Sequence, residues 1–365
     1  MERKDILIII KKIENRNKKI GLSRYDIKDY LSNFNYLKIK NKIPDKLGYI
    51  LRIPDIISPI TFRKILDVEK QVVPTSIYHL GISEIIKIEM GFKNNNIEKF
   101  LDYALEIKKG NDTLYWEHPY KHHATDWKES SSGKSQSCAH HTARMGMFFS
   151  EVHNKLLGYN LEKELNLIEK SLINSHNWHK YNDFATVSYY PNTNDEVINT
   201  TLEVGAFLST RSKKKSNIKL IDKITNLVIE EQLNNGAWYY ATKKHYSVYG
   251  GKKHIDAGHN AMIIGAISKI IMSDVLDHKK NEKLKKVIIK ATNFFIKDLM
   301  TKKGKIYRFP KRRHGRLIDH CETIIALIKV LKIEDINIDK NKIREGINNT
   351  LDYTIREFFD PKRGD

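Results

Sequence analysis

The 365-residue chain has only two cysteines, Cys138 and Cys321. Two thiols do not make a disulfide framework, which excludes a small stapled scaffold. Long apolar runs are also missing. A membrane span needs roughly 18 or more apolar residues in succession, whereas the run Ile6–Ile10 stops after five and sits between charges. The opening MERKD lacks the apolar core and small-residue cleavage site of a signal peptide. These absences predict a soluble, cytoplasmic protein. Strand-like stretches are few, with VSYY (187–190) the clearest. Acidic residues are short in number: 44 Asp+Glu stand against 64 Lys+Arg, a net charge of +20. Such an excess suits an acidic glycan, an anionic surface or nucleic acid, or else a generally basic solvated surface. The lysines are spread thinly, RSKKKSN (211–217) and KRRHGR (311–316) being the densest runs. Charge alone supports nucleic acid, so that partner ranks last.

What is present is a repeat. About every 60 residues, a polar residue and a second one three places later open an apolar run. The pairs are Ser76/His79, Ser137/His140, Glu196/Asn199, Asp256/His259 and Asp319/Glu322. Between them lie second, amphipathic runs, such as Asn96–Lys108, Ile218–Leu233 and Lys283–Met300, with apolar residues at three- and four-residue spacing. Aromatic loops follow: GNDTLYW (110–116), HNWHKY (176–181), NNGAWYY (234–240) and KGKIYRF (303–309). One unit is thus an inner helix, an outer helix and an aromatic loop. Five such hairpins are visible from residue 76. The pattern predicts an all-α protein, an (α/α) toroid of five to six hairpins with long loops at one mouth, although an open solenoid also satisfies it. The toroid domain is expected over 71–365. Residues 1–70, with candidate helices at Lys4–Asn17 and Ser23–Asn33, form an N-terminal segment able to supply another hairpin.

The spacing Gln232-x-x-x-Gly236-x-Trp238 resembles the repeat of the terpenoid cyclase and protein prenyltransferase toroids. EQLNNGAWYY followed by HIDAGHNAMIIGAI is more similar to bacterial α/α-toroid proteins of polysaccharide metabolism, which resemble glycan lyases and uronyl epimerases. Gln232, Gly236, Trp238, Tyr240, Asp256 and His259 occupy the matching positions, as do Tyr190, Asn199, Leu202 and Gly205 upstream. The resemblance covers about residues 110 to 335. It implies the fold more firmly than a reaction, because toroids host many chemistries. The D-x-D-D and D-D-x-x-D motifs of terpene chemistry are absent. No cofactor is expected; a prenyltransferase-like zinc, drawing on Asp319, Cys321 and His259, stays as a minor alternative.

Histidine is the side chain suited to proton transfer near neutral pH. His79 and His140 open inner runs, and His122 and His123 lie in the loop WEHPYKHHATDW. Asp256 precedes His259 by one helical turn, a spacing that lets a carboxylate orient an imidazole. Asp319 and Glu322 repeat that spacing with two carboxylates, which offers either a general acid of raised pKa or a capping box. Ser76, Ser137 and Asp256 also read as helix N-caps. His259, His140, Tyr190, Asp256 and Glu322 are the candidate catalytic residues. His79, His122, His123, Asn199, Trp238, Tyr240, Arg308 and Asp319 are candidates for substrate binding. Loop aromatics stack on sugar rings, and Arg308 suits a carboxylate. The reading is a toroid that acts on, or binds, an anionic uronate-containing glycan by His/Tyr acid–base chemistry. The alternatives are a non-catalytic glycan or partner binder and a prenyltransferase- or cyclase-like enzyme.

Overall fold

A computed structural model describes residues 3–20, 59–68, 70–92, 96–118, 137–211, 215–245, 254–310 and 315–359. The helices are α1 (Arg3–Ile20), α2 (Pro59–Ile65), α3 (Pro74–Glu89), α4 (Ile97–Glu106), α5 (Ala139–Lys155), α6 (Glu162–Asn174), α7 (Ile198–Ser209), α8 (Lys215–Glu231), α9 (Ala257–Met272), α10 (His278–Phe294), α11 (Leu317–Leu331) and α12 (Lys340–Phe358). One small antiparallel hairpin, β1 (Trp178–Lys180) and β2 (Ala185–Val187), precedes α7. No helix of the described residues is long and apolar enough to cross a membrane.

Two kinds of helix alternate. The inner helices α5, α7 and α9 bury nearly every face, which requires neighbours on all sides. The outer helices bury one stripe. In α4 it is Ile97, Phe100, Leu101 and Ala104, the three- and four-residue spacing of one helix face. Each outer helix packs on the inner helix before it, and α3, α5, α7, α9 and α11 pack in succession. The first and last of these meet through side chains, His79 Nε2 lying 3.4 Å from Glu322 Oε1. Among the described residues, five inner helices therefore surround one axis. At the other end α1 reaches α3 through the ion pair of Glu14 with Lys87.

Two glycines set how closely the inner helices approach. A Cβ on Gly81 of α3 would stand 2.3 Å from the Phe148 ring of α5, and one on Gly146 of α5 would stand 2.6 Å from the Phe207 ring of α7. Each aromatic fills the space the preceding helix leaves bare. Gly146→Ala is expected to cost about 1–3 kcal/mol by overpacking, read as a lowered urea midpoint. Adding Phe207→Leu should recover part of that loss.

Trp116, Trp178 and Trp238 share one role. Each indole donates to a carbonyl of the outer helix just passed: Ala104 O at 2.9 Å, Leu172 O at 3.1 Å and Val228 O at 2.9 Å. Gln232 ties its loop to the next outer helix, donating from Nε2 to Gly236 O and to Val287 O, both at 3.0 Å.

Candidate active site

The aromatic loops close onto the inner helices by a repeated backbone contact. Ala139, Ile198 and Ala257, the first residues of α5, α7 and α9, donate their amides to Tyr189 O (3.0 Å), Tyr240 O (3.3 Å) and Arg308 O (2.8 Å). A helix N-terminus has four unsatisfied amides, and here the loop of each unit supplies an acceptor. That contact brings Tyr189, Tyr240 and Arg308 to equivalent places on one rim. Side-chain capping is correspondingly sparse. Asp256 is the N-cap of α9, accepting from the His259 amide at 3.2 Å. Ser76 lies inside α3, and the Ser137 hydroxyl is 2.8 Å from His176 Nε2. Neither serine caps its helix.

Two histidine–carboxylate pairs stand on this rim. His259 Nδ1 lies 3.0 Å from Asp256 Oδ1, with the Tyr240 ring edge-on at 4.5 Å. Arg308 Nε is 3.1 Å from Asp256 Oδ2, and Arg316 Nη2 is 3.6 Å from the same oxygen. Burial opposes the Asp256 charge, but His259, Arg316 and Arg308 outweigh it and hold the carboxyl well below the usual range. In the second pair His140 Nδ1 contacts Glu203 Oε2, and its ring stacks with Tyr189 at 6.2 Å. In both pairs Nδ1 faces a carboxylate, which leaves Nε2 as the nitrogen for proton exchange.

Asp195, just before α7, has the opposite character. Its Oδ1 accepts from the Tyr189 amide at 2.7 Å and from the Thr193 hydroxyl at 2.6 Å, while Oδ2 is buried with no hydrogen-bond partner. Burial pushes this carboxyl up to about 6, against its hydrogen bonds. The Tyr240 hydroxyl is itself pushed up, by burial first and then by the fields of Asp195 and Asp256, so all three groups share one neighbourhood. His176, by contrast, is buried and pushed down to about 4.

Below the rim lies a charged layer. The sixth residues of α3, α5, α7, α9 and α11 are His79, Arg144, Glu203, Met262 and Glu322. All five line one small axial cavity. Arg144 is at its centre, donating to Glu203 Oε1 from Nε (2.9 Å) and Nη2 (2.7 Å). Its Nη1 lies 3.0 Å from Glu322 Oε1 and 2.9 Å from His79 Nε2. Tyr78 places its ring 5.6 Å from the guanidinium. Burial works against every charge here, yet Arg144 is held charged by Glu203 and Glu322, and both carboxyls are held low by Arg144.

No protein-family model and no curated protein matches this sequence. Solved structures do match it. The chain is similar to a GH76 alpha-mannanase from Bacteroides thetaiotaomicron, with TM-score 0.59, 7% identity and coverage of 93% of this chain and 89% of that one. It is also similar to the cellobiose 2-epimerase from Bacillus thermoamylovorans, with TM-score 0.56, 11% identity and coverage of 79% and 76%. A glycosyl hydrolase family 88 protein from Bacteroides vulgatus gives TM-score 0.52, 10% identity and 80% of each chain. The fold is an α/α toroid.

Within the toroid, the expected site residues separate into groups. His259, Asp256, Tyr240 and Arg308 come together at the rim, and His140 reaches from it to Glu203 of the layer below. His79 and Glu322 belong to the axial layer, one turn deeper than His140, Asn199 and His259, so the second members of the five pairs stand at two levels. Asp319 and Glu322 do not pair with each other. Asp319 is the third residue of α11, bound by Arg316 Nη2 at 2.7 Å within a capping box, while Glu322 faces Arg144. Trp238 is fully enclosed, so its ring offers a sugar no face. Tyr190 is buried edge-on against Tyr189, and Asn199 is buried with Nδ2 3.7 Å from Met262 Sδ. His122 and His123 lie outside the described residues, as do Tyr246, Tyr249, Lys311, Arg312 and Arg313. Among the described residues no three His, Cys, Asp or Glu side chains form a metal-holding group, and the Asp319 carboxylate of the zinc alternative is taken by Arg316.

Proposed function

We propose that this toroid is a carbohydrate-active enzyme that works on a uronate-containing glycan by proton transfer at its rim. The observation that carries this is the grouping of His259, oriented by Asp256, with Asp195, whose Oδ2 has no hydrogen-bond partner and whose carboxyl is raised by burial, near Tyr240. A sugar carboxylate placed at the outer nitrogens of Arg308 acidifies the carbon-bound proton beside it. His259 Nε2 takes that proton. The electron pair forms a carbon–carbon double bond and expels the glycosidic oxygen, which receives its proton from Asp195. The products are an unsaturated uronate end and a free hydroxyl. If the proton is instead returned to the opposite face, by His140 for example, the outcome is epimerisation.

Several features support the reading. The net charge of +20 favours an acidic glycan. The similar solved structures include a mannanase and a sugar epimerase by name. Hydrolysis by a pair drawn from Asp256, Glu203 and Glu322 fits less well, because all three are held ionised, Asp256 by His259 and then two arginines, Glu203 and Glu322 by Arg144 first.

The test is incubation with uronate-containing polysaccharides in heavy water. Ultraviolet absorbance reports unsaturated ends, and NMR reports deuterium at the carbon beside the carboxylate. His259→Asn is expected to lower turnover by at least about a hundredfold with an unchanged circular dichroism spectrum. Unaltered turnover in that variant, or conversion of neutral glycans alone, would sink the proposal. Binding of uronate chains without either signal would make the toroid a glycan-binding protein.

A further inference from the structure

At the end of the barrel away from the rim, a cavity of about 1200 Å³ opens among the C-terminal halves of the inner helices. It is lined by six lysines and three glutamates. The glutamates are already occupied: Glu14 by Lys87, Glu89 by Lys155 at 2.6 Å, and Glu151 by Lys155 at 3.0 Å and by Lys269. Among the described residues, Lys11, Lys329 and Lys332 meet no carboxylate within ion-pair distance.

Lys329 is the inner member of this set. It lines both the large cavity and the axial one, so it marks where they join. Burial pushes its amine down to about 8, with Lys269 and Arg144 acting in the same direction against Glu322. With Lys11 and Lys332, Lys329 leaves this cavity with amines that no carboxylate among the described residues neutralises, and an anionic group seated there would pair with them. The outer walls are different. Ile86, Met90, Phe92, Met272 and Ile328 are large apolar residues left exposed, and all five line this cavity. A contiguous exposed apolar patch of this kind marks a binding surface.

We propose that this cavity is a second ligand site, for an amphipathic anion whose phosphate or carboxylate head seats at Lys329 and whose apolar chain lies along Ile86, Met90, Phe92 and Ile328. A cationic floor under an apolar mouth is complementary to that chemistry and to neither half of it alone. The site is independent of the rim chemistry, since none of its residues belongs to the pairs formed by His259 and His140.

Calorimetric titration of the full chain with dodecyl phosphate, dodecanoate, dodecanol and inorganic phosphate tests it. Both anionic amphiphiles are expected to bind at least tenfold more tightly than dodecanol or phosphate, and the tighter of the two identifies the preferred head. Lys329→Met is expected to weaken both at least tenfold with a melting temperature no lower than that of the native chain. Ile328→Glu, an exposed position, should weaken them through the apolar mouth. Equal binding by Lys329→Met, equal binding of dodecanol, or no binding by any probe would each overturn the proposal, the last meaning that the chain fills the cavity itself.

Discussion

Arg144→Met is expected to lower stability at neutral pH by about 3–5 kcal/mol, the penalty for leaving buried charge without its partner. Arg144 is the cation placed between Glu203 and Glu322, and all three are buried. Methionine keeps much of the side-chain length and removes the charge, leaving two carboxylates in the apolar axis of the barrel. A loss of that size is a large share of the 5–15 kcal/mol typical of a folded domain. The pH dependence carries the signature. In the native chain both folded carboxyl pKa values are depressed. Their stabilisation is present above the unfolded value, about 4.3, and is lost as pH falls below it. In the variant burial is opposed chiefly by His140 at Glu203 and by His79 at Glu322, so both carboxyls rise from their native values. Less stabilisation is then lost as pH falls, and the acid slope is shallower than in the native chain. Urea unfolding at a series of pH values measures both slopes. Glu203→Gln and Glu322→Gln in the Arg144→Met background should restore much of the neutral-pH loss. A native-like slope in Arg144→Met would mean that solvent or another cation neutralises the axis.

The reason this layer escapes a reading of the sequence is physical. The inner helices were legible because a helix buried on every face is apolar throughout, and the outer ones because a stripe recurs every three or four residues. Arg144 and Glu203 are lone charges inside such apolar runs, AHHTARMGMFF and VINTTLEVGAFL. Their pairing depends on which helices neighbour which across the axis, and that is set by closure rather than by local pattern. The available signal was the repeat itself. Positions 79, 144, 203, 262 and 322 keep the same beat of about 60 residues as the rim pairs, but Met262 is apolar and hides the layer from a search for polar residues. Trp238 illustrates the converse. Its loop signature is plain, yet its partner is the carbonyl of Val228, so the motif records hairpin packing. The QW-like spacing was legible as architecture because packing repeats in every unit, whereas reactivity need arise in only one.

Asp195→Asn is expected to make the protein more stable at pH 7 while removing proton delivery at the rim. The sign follows from burial. Unfolded, the carboxyl titrates near 3.9; folded, it is pushed up to about 6 because it is buried. Between those values the unfolded chain releases its proton and the folded chain keeps it. Native stability therefore falls as pH rises from about 4 to 6, by on the order of 3 kcal/mol for a shift of this size. Asparagine stays neutral, and its oxygen can still accept from Tyr189 and Thr193, so the variant should gain about 1–3 kcal/mol at pH 7. Below pH 4, where the wild-type carboxyl is protonated in both states, the gain should vanish. Glycan cleavage should drop about 10²–10⁴-fold, the usual worth of a positioned acid, with the acidic limb of the pH–rate profile altered. A merely structural aspartate predicts the other pattern, in which asparagine leaves both turnover and the pH dependence of stability as they were. In the proposed chemistry Asp195, raised by burial, would be the acid, and Asp256, held ionised by His259 and two arginines, would orient His259 as the base.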